Sequence, residues 1–245
     1  MKQRIFIPCL ILFSLFLSNC KDKTDETPEP PTPPTVTFPV TNAVDGVFAA
    51  IKTTTINNTV ESSIGTCYAA FYKNQNPAMK LDGGKVTLNS KECYKTDNSI
   101  YFIVPTATEP SGITLANQIL WQVAGNTSTG VPSVYNKDDS GLPATPSIPE
   151  FINMMSDFNY LLNWASSSQS DSVIIIVKGP SATFKKTLNN TYKSYTIPKE
   201  EIAKLGVGKG TVQIINYKVN YATTGAKNYA YIKQSIAFTD KVTIQ

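Results

Sequence analysis

Histidine is absent from all 245 residues, and arginine occurs once, at Arg4. Without an imidazole the chain cannot build Ser-His-Asp or Cys-His nucleophile systems or His-ligated zinc and iron sites, and it lacks the side chain that most often moves protons near neutral pH. The missing arginine argues against nucleic-acid binding, because phosphate and guanine recognition rely on guanidinium groups and a dense basic patch. Carboxylate chemistry survives these absences, since a glycoside hydrolase needs only two acids facing a cleft. The acids beyond residue 35 are scattered through segments that read as turns, so the expectation is a protein that is not an enzyme, with no cofactor and no metal.

Long apolar runs are also lacking, with one exception. Ile5 to Leu17 is 13 residues, interrupted by Pro8, and follows Lys2 and Arg4. A membrane-spanning helix needs about 20 residues, so this run reads as the apolar region of an export signal. It ends in Leu17-Ser18-Asn19-Cys20, which resembles the lipobox of bacterial lipoproteins. In that family the cysteine thiol is diacylated, the leader over residues 1–19 is removed, and the new amine is acylated. Asn19 stands where Gly, Ala or Ser is commonest, a departure that lipoproteins of Bacteroidota and spirochaetes accept. The resemblance implies lipid attachment at Cys20 and an outer-membrane lipoprotein facing the periplasm or the cell surface. The competing reading is an ordinary secretory signal with an incidental cysteine.

Residues 20–37 then read as a tether. Thr24 to Thr35 carries Asp25, Glu26, Glu29 and prolines 28, 30, 31, 33 and 34. Proline-rich chain extends by about 3.1 Å per residue, enough to hold a folded body tens of ångströms from the lipid. Removing the leader leaves 20 lysines against 18 acidic residues. Residues 36–145 hold 7 lysines and 8 acids, whereas residues 146–245 hold 11 and 6. That imbalance suits an anionic glycan or surface, and equally suits lysines that only keep the protein soluble.

Beyond the tether, short β-branched and aromatic runs are broken about every ten residues by Asn, Gly, Asp, Ser and Pro, which predicts all-β antiparallel sandwiches. Strands are expected near Gly46 to Thr53, Cys67 to Tyr72, Gly84 to Leu88, Ser99 to Val104 and Gln118 to Val123, with Asp82-Gly83-Gly84 as a turn. Pro143, Pro146 and Pro149 cannot donate to a β-ladder. Residues 143–149 therefore read as a linker between an N-terminal sandwich over 38–142 and a C-terminal one over 150–245. In the latter, Phe158, Tyr160, Leu162 and Trp164 alternate, Ser172 to Val177 is apolar, and Ile197 to Gly206 carries the start and stop signals of a short helix. Strands over Thr211 to Tyr221, Asn228 to Phe238 and Lys241 to Ile244 close the chain. The order over residues 155–245 resembles an immunoglobulin- or fibronectin-III-like domain, and the Ile-Pro turn before a long hairpin resembles Bacteroidota surface lipoproteins. The resemblance implies a fold and carries no functional residues.

Four cysteines become two once Cys9 leaves with the signal and Cys20 is lipidated. Cys67 shares strand parity with Ala69 and Phe71, and Cys93 follows the next strand, so a disulfide and a pair of inert buried thiols both fit. A bridge would stabilise by about 3.5 kcal/mol in the chain-entropy account. Asn136-Lys137-Asp138-Asp139-Ser140-Gly141 imitates the start of a calcium loop, but its twelfth position is Ser147 in place of the bidentate acid, and it reads as a polar surface loop. Gly206-Val207-Gly208-Lys209-Gly210 leaves a helix and enters a strand, the reverse of a phosphate loop. Trp121 and Trp164 share parity with apolar neighbours and read as core. Tyr217, Tyr221, Tyr229 and Tyr231 are expected to meet across the final hairpin as an outward patch, the candidate binding surface for a glycan or a macromolecular partner. A purely structural or adhesive envelope protein is the alternative, and a carboxylate-dependent glycan hydrolase a more distant one.

Overall fold

The computed structural model describes residues 43–57, 60–165 and 169–245. Cys20, the signal segment and the tether lie outside these residues. In chain order the elements are β1 Gly46–Asn57, β2 Val60–Lys73, β3 Asn76–Leu81, β4 Val86–Leu88, β5 Lys91–Glu92, β6 Tyr94–Lys95, β7 Ile100–Ile103, β8 Ile119–Val123, β9 Val134–Asp138, β10 Ile152–Met154, β11 Tyr160–Asn163, β12 Ser172–Lys178, β13 Thr183–Asn189, β14 Ser194–Ile197, α1 Lys199–Leu205, β15 Gly208–Thr224 and β16 Lys227–Ile244. The chain is all-β with one short helix, and its sheets pack face to face, as the strand pattern predicts.

The main sheet runs β13-β12-β15-β16-β1-β2-β7-β6, with β10 alongside β16 and β3 alongside β2. Its longest strands, β15 and β16, form a hairpin closed by Gly225-Ala226, since Thr224 pairs with Lys227. Gly225 has φ 62°, the positive value that the first loop position of a type II′ hairpin needs. β1 pairs parallel to β16, with Gly46 opposite Tyr229 and Thr55 opposite Phe238. The first and last described strands are therefore neighbours, and the two halves of the chain share one sheet. All described residues belong to a single compact unit.

Two apolar cores lie on one face of this sheet. The first packs Phe48, Cys67, Ala69, Phe71, Tyr101, Tyr229 and Tyr231 against Val86, Leu88, Ile119, Trp121 and Val134 of the four-stranded sheet β5-β4-β8-β9. The second packs Val173, Ile175, Val177, Val212, Ile214 and Ala237 against Ile152, Leu162, Trp164 and Ile197, with Ile202 and Leu205 from α1. Both tryptophans are core, as their parity predicts. A bulge lets Val242 and Ile244 join Ala237 on this face despite their opposite parity, because Gly210 to Val212 spans two steps while Val242 to Thr239 spans three.

The segment over residues 143–149 is not a free hinge. Prolines supply carbonyls and no N–H, so partners must be donors from elsewhere, and the main sheet supplies them. Ser235 Oγ donates to Pro143 O at 2.6 Å and Asn216 Nδ2 to Ala144 O at 2.8 Å. Beyond the segment, Thr239 Oγ1 donates to Glu150 O at 2.6 Å. Ile148 is buried in the second core, and Ala165 N donates to Ser147 O at 3.3 Å. A strap pinned by side chains crosses the sheet from one core to the other.

Candidate functional site

Between the two cores the sheet face turns polar. On β15 the inward residues Asn216, Lys218 and Asn220 interrupt the apolar run, and directly across on β16 stand Ser235, Lys233 and Tyr231. β1 continues the row with Lys52 opposite Ser235. Apolar side chains here would have fused the cores into one, whereas the polar row makes a seam over which the strap runs.

Lys233 is the most buried charge in the seam, with its side chain 4% exposed. A buried ammonium is tolerated only when paired and hydrogen-bonded, and Asp138 at the end of β9 satisfies it. Lys233 Nζ donates to Asp138 Oδ2 at 2.6 Å and to Ser140 Oγ at 2.6 Å. Asp138 Oδ1 accepts from Ser140 N at 2.8 Å and from Ser140 Oγ at 2.6 Å. Burial pushes the Asp138 carboxyl upward, but Lys233 and Ser140 outweigh it and hold it below the usual carboxylate range. Gly141 turns the chain into the strap at φ 62°, where a Cβ would lie 3.2 Å from the Asn117 backbone. The Asn136 to Gly141 motif is a polar surface segment, as expected, with Lys137, Asp139 and Ser140 exposed, and through Asp138 and Ser140 it also anchors the buried Lys233 ammonium.

Two cavities flank this anchor and share Asp139 and Ser140. One, of about 330 Å³, is lined by Asn136, Lys137, Asp138, Asn220, Ala222 and Tyr231 besides the shared pair. The other, of about 480 Å³, is lined by Lys52, Asn117, Leu142, Gln169 and Ser235 among others. Lys137 and Asp139 pair at 3.1 Å on the rim of the first cavity, so its wall offers amides, a hydroxyl and a compensated charge pair. Tyr231 stacks on Phe48 with ring centroids 4.8 Å apart and planes 3° apart. Its hydroxyl is buried and has no hydrogen-bond partner among the described residues, and burial pushes its phenol well above the ordinary value.

The four tyrosines expected to form an outward patch are not brought together. In the β15–β16 register Ala222 faces Tyr229 and Asn220 faces Tyr231, whereas Tyr217 faces Gln234 and Tyr221 faces Ala230. Partner numbers add to an odd total, so tyrosines of equal parity lie on opposite faces of the hairpin. Tyr229 and Tyr231 belong to the first core. Tyr217 is buried on the other face with Ile174 and Ile215, and only Tyr221 is exposed. The seam itself was legible in part. Lys233 and Ser235 break the inward parity of β16 where Asn216, Lys218 and Asn220 break that of β15, a coincidence visible once the hairpin register is known.

Cys67 and Cys93 are brought together, both buried, with their sulfurs 3.6 Å apart. Among the described residues no three His, Cys, Asp or Glu side chains cluster as metal ligands, and no helix is long and apolar enough to cross a membrane. No family model and no curated protein matches the chain.

Proposed function

We propose that the protein is an exported lipoprotein, anchored to the outer membrane through Cys20, whose folded body is a non-enzymatic binding module for a neutral glycan. The ligand contacts the cavity at Asn136, Asn220, Asp139 and Tyr231, between the first core and the strap. The lipid is the membrane partner, and the proline tether keeps the body clear of the headgroups. One observation carries the site: Tyr231, whose hydroxyl is buried without a hydrogen-bond partner among the described residues, lines a polar cavity. An unpaired buried hydroxyl costs about 1–3 kcal/mol, a cost recovered if a ligand hydroxyl completes it. Sites of this size with few convergent polar groups suit small ligands, and amide and carboxylate side chains match the donor and acceptor hydroxyls of a sugar.

The structural reading of the seam has its own support, since Asn216, Ser235 and Thr239 are occupied in pinning the strap. Tyr231→Phe separates the two readings. It deletes the unpaired hydroxyl and keeps the ring on Phe48. By calorimetric titration against a panel of neutral oligosaccharides, the variant should bind at least about tenfold more weakly than the parent, the loss expected for one hydrogen bond to a buried group. Equal affinity in the two proteins, or no binding by either, would leave the structural reading standing.

A further inference from the structure

We infer that Cys67 and Cys93 are joined in the exported protein as a disulfide that ties the four-stranded sheet to the main sheet. The inference rests on the export reading for its oxidising compartment and on geometry for its partners. Cys67 lies on β2, opposite Ile103 of β7, with its side chain in the first core. Cys93 sits at the corner between β5 of the small sheet and β6 of the main sheet. Its amide donates to Val86 O of β4 at 2.9 Å, while the next residue, Tyr94, pairs with Phe102 of β7. The corner thus belongs to both layers, and a bond from it to Cys67 crosses the interior of the sandwich. The sulfurs are already in contact at 3.6 Å, and bonding at about 2.05 Å asks for a shift of about 1.5 Å, within reach of small side-chain rotations. They are the two cysteines among the described residues, and no third thiol competes there.

The chemistry needs an oxidant, which thiol–disulfide exchange provides. One thiolate attacks a sulfur of an external disulfide, forms a mixed disulfide and expels a thiol. The second thiolate then attacks the protein sulfur and expels the other, so that two thiols lose their protons and one external disulfide is reduced to two thiols. In the finished fold this exchange is slow. Burial and the neighbouring Cys93 push the Cys67 thiol well above its ordinary value, leaving little thiolate. Closure therefore belongs to folding, before the small sheet covers β2. The bond also concerns the proposed ligand site, because β9 of the small sheet carries Asn136 and Asp138 while β16 of the main sheet carries Tyr231.

Two preparations of the full chain test this. The first is protein from the envelope of its host. The second is a Cys9→Ala, Cys20→Ala chain refolded from denaturant with glutathione disulfide. Each is denatured, alkylated and digested with trypsin. The expected result in both is one linked product joining the peptide that ends at Lys73 to the peptide that ends at Lys95, about 2 Da lighter than its two parts by the loss of two protons and two electrons, with neither cysteine alkylated. The bridged protein should melt about 10 °C above its reduced form, as loop closure on this scale implies. Reduced protein that is already folded should oxidise far more slowly than refolding protein. Alkylated Cys67 and Cys93 in the refolded chain, or glutathione held on either, overturns the bridge. The mass of the Cys20 peptide in the envelope sample reports the anchor separately: a chain cut from its leader but not lipidated fails the lipid anchor alone, and a chain that keeps its leader fails the export reading and leaves the refolding result to decide the bridge.

Discussion

The two cores share one face of one sheet yet are built differently. The first is aromatic. Phe48 meets Phe71, Trp121, Tyr229 and Tyr231 at centroid distances of 5.6, 5.2, 5.6 and 4.8 Å. The second is aliphatic, from Val173, Ile175, Val177, Val212 and Ile214, under β11, β14 and α1. They also differ in where their residues come from. The buried members of the second core all fall between Ile148 and Ile244, whereas the first needs β1 and β2 from one end of the fold and Tyr229 and Tyr231 from the other. Closing a loop about twice as long costs only about 0.6 kcal/mol more, so the asymmetry is one of connectivity: β16, which pairs with β15 of the second core, also supplies the strand on which β1 docks.

The strongest way to break that asymmetry is Phe48→Ala. Truncating a fully buried ring at the centre of the aromatic cluster should cost about 3–5 kcal/mol. Near-ultraviolet dichroism should show the first core lost, while far-ultraviolet dichroism shows whether β12, β15 and β16 persist. Retention of the strand signal at a temperature where the aromatic signal is gone is expected if the second core stands alone. Coincident loss of both would make the cores one cooperative unit joined through the parallel β1–β16 pairing.

Next in size is the seam that separates the cores. Asp138→Ala leaves the Lys233 ammonium buried with Ser140 as its remaining partner, at a cost of about 3 kcal/mol. Replacing both, as Lys233→Met with Asp138→Leu, should recover most of this in urea titrations, because no charge is then stranded. A double replacement as unstable as the single one would mean that the seam needs the ion pair itself to keep strap and sheet in register.

Acid probes the first core at its turn. Asp82 Oδ1 accepts from Tyr101 OH at 2.6 Å and Gly84 N at 2.9 Å, and Oδ2 meets Lys95 at 2.7 Å. The Lys95 and Tyr101 hydrogen bonds, with the Gly84 amide, hold its carboxyl down to about 2, against 3.8 ordinarily. A folded value below the unfolded one means that the stabilisation is complete above about pH 4 and disappears as pH falls through about 2. The carboxylate is a third exposed, so solvent screening reduces the contribution to about 1 kcal/mol. The melting temperature of Asp82→Asn should therefore fall less between about pH 5 and about pH 2.5 than that of the parent. An identical fall would place the acid sensitivity elsewhere.

What the sequence made legible follows from local rules. β-branched and aromatic runs located β1, β7, β8, β12 and β15 to within a few residues, found only the second half of β2, which begins at Val60, and split the continuous β16 into two strands, while Pro198, Glu200, Glu201, Lys204 and Gly206 marked α1. Phe158 departed from its alternating run because a turn, Phe158 N donating to Met155 O, bends the chain before β11. Two things were out of reach. The parallel pairing of β1 with β16 has no local signal, since it joins segments at the two ends of the fold. The faces of the tyrosines depend on hairpin register, which the position of Gly225 sets and which a one-residue change inverts. Of the candidate cavity, the sequence singled out Asn136 to Ser140 and Tyr231 but not Asn220 or Ala222, which the β15–β16 register and the packing of the small sheet bring beside them.

The smallest effect on stability should come from the residue that matters most to the proposed site. Tyr229 and Tyr231 stand two residues apart on the same strand and face and in the same core, and both phenols are pushed upward, that of Tyr229 to about 12. Yet of the two only the Tyr231 hydroxyl is buried without a hydrogen-bond partner among the described residues. Deleting a satisfied buried hydroxyl costs about 1 kcal/mol, whereas deleting an unsatisfied one removes a desolvation penalty and leaves stability unchanged or slightly higher. Tyr231→Phe should thus shift the urea midpoint by an amount near zero or upward, while weakening glycan binding. A clear loss of stability would mean that the hydroxyl already has a partner in solution, and the cavity would lose the observation that singles it out.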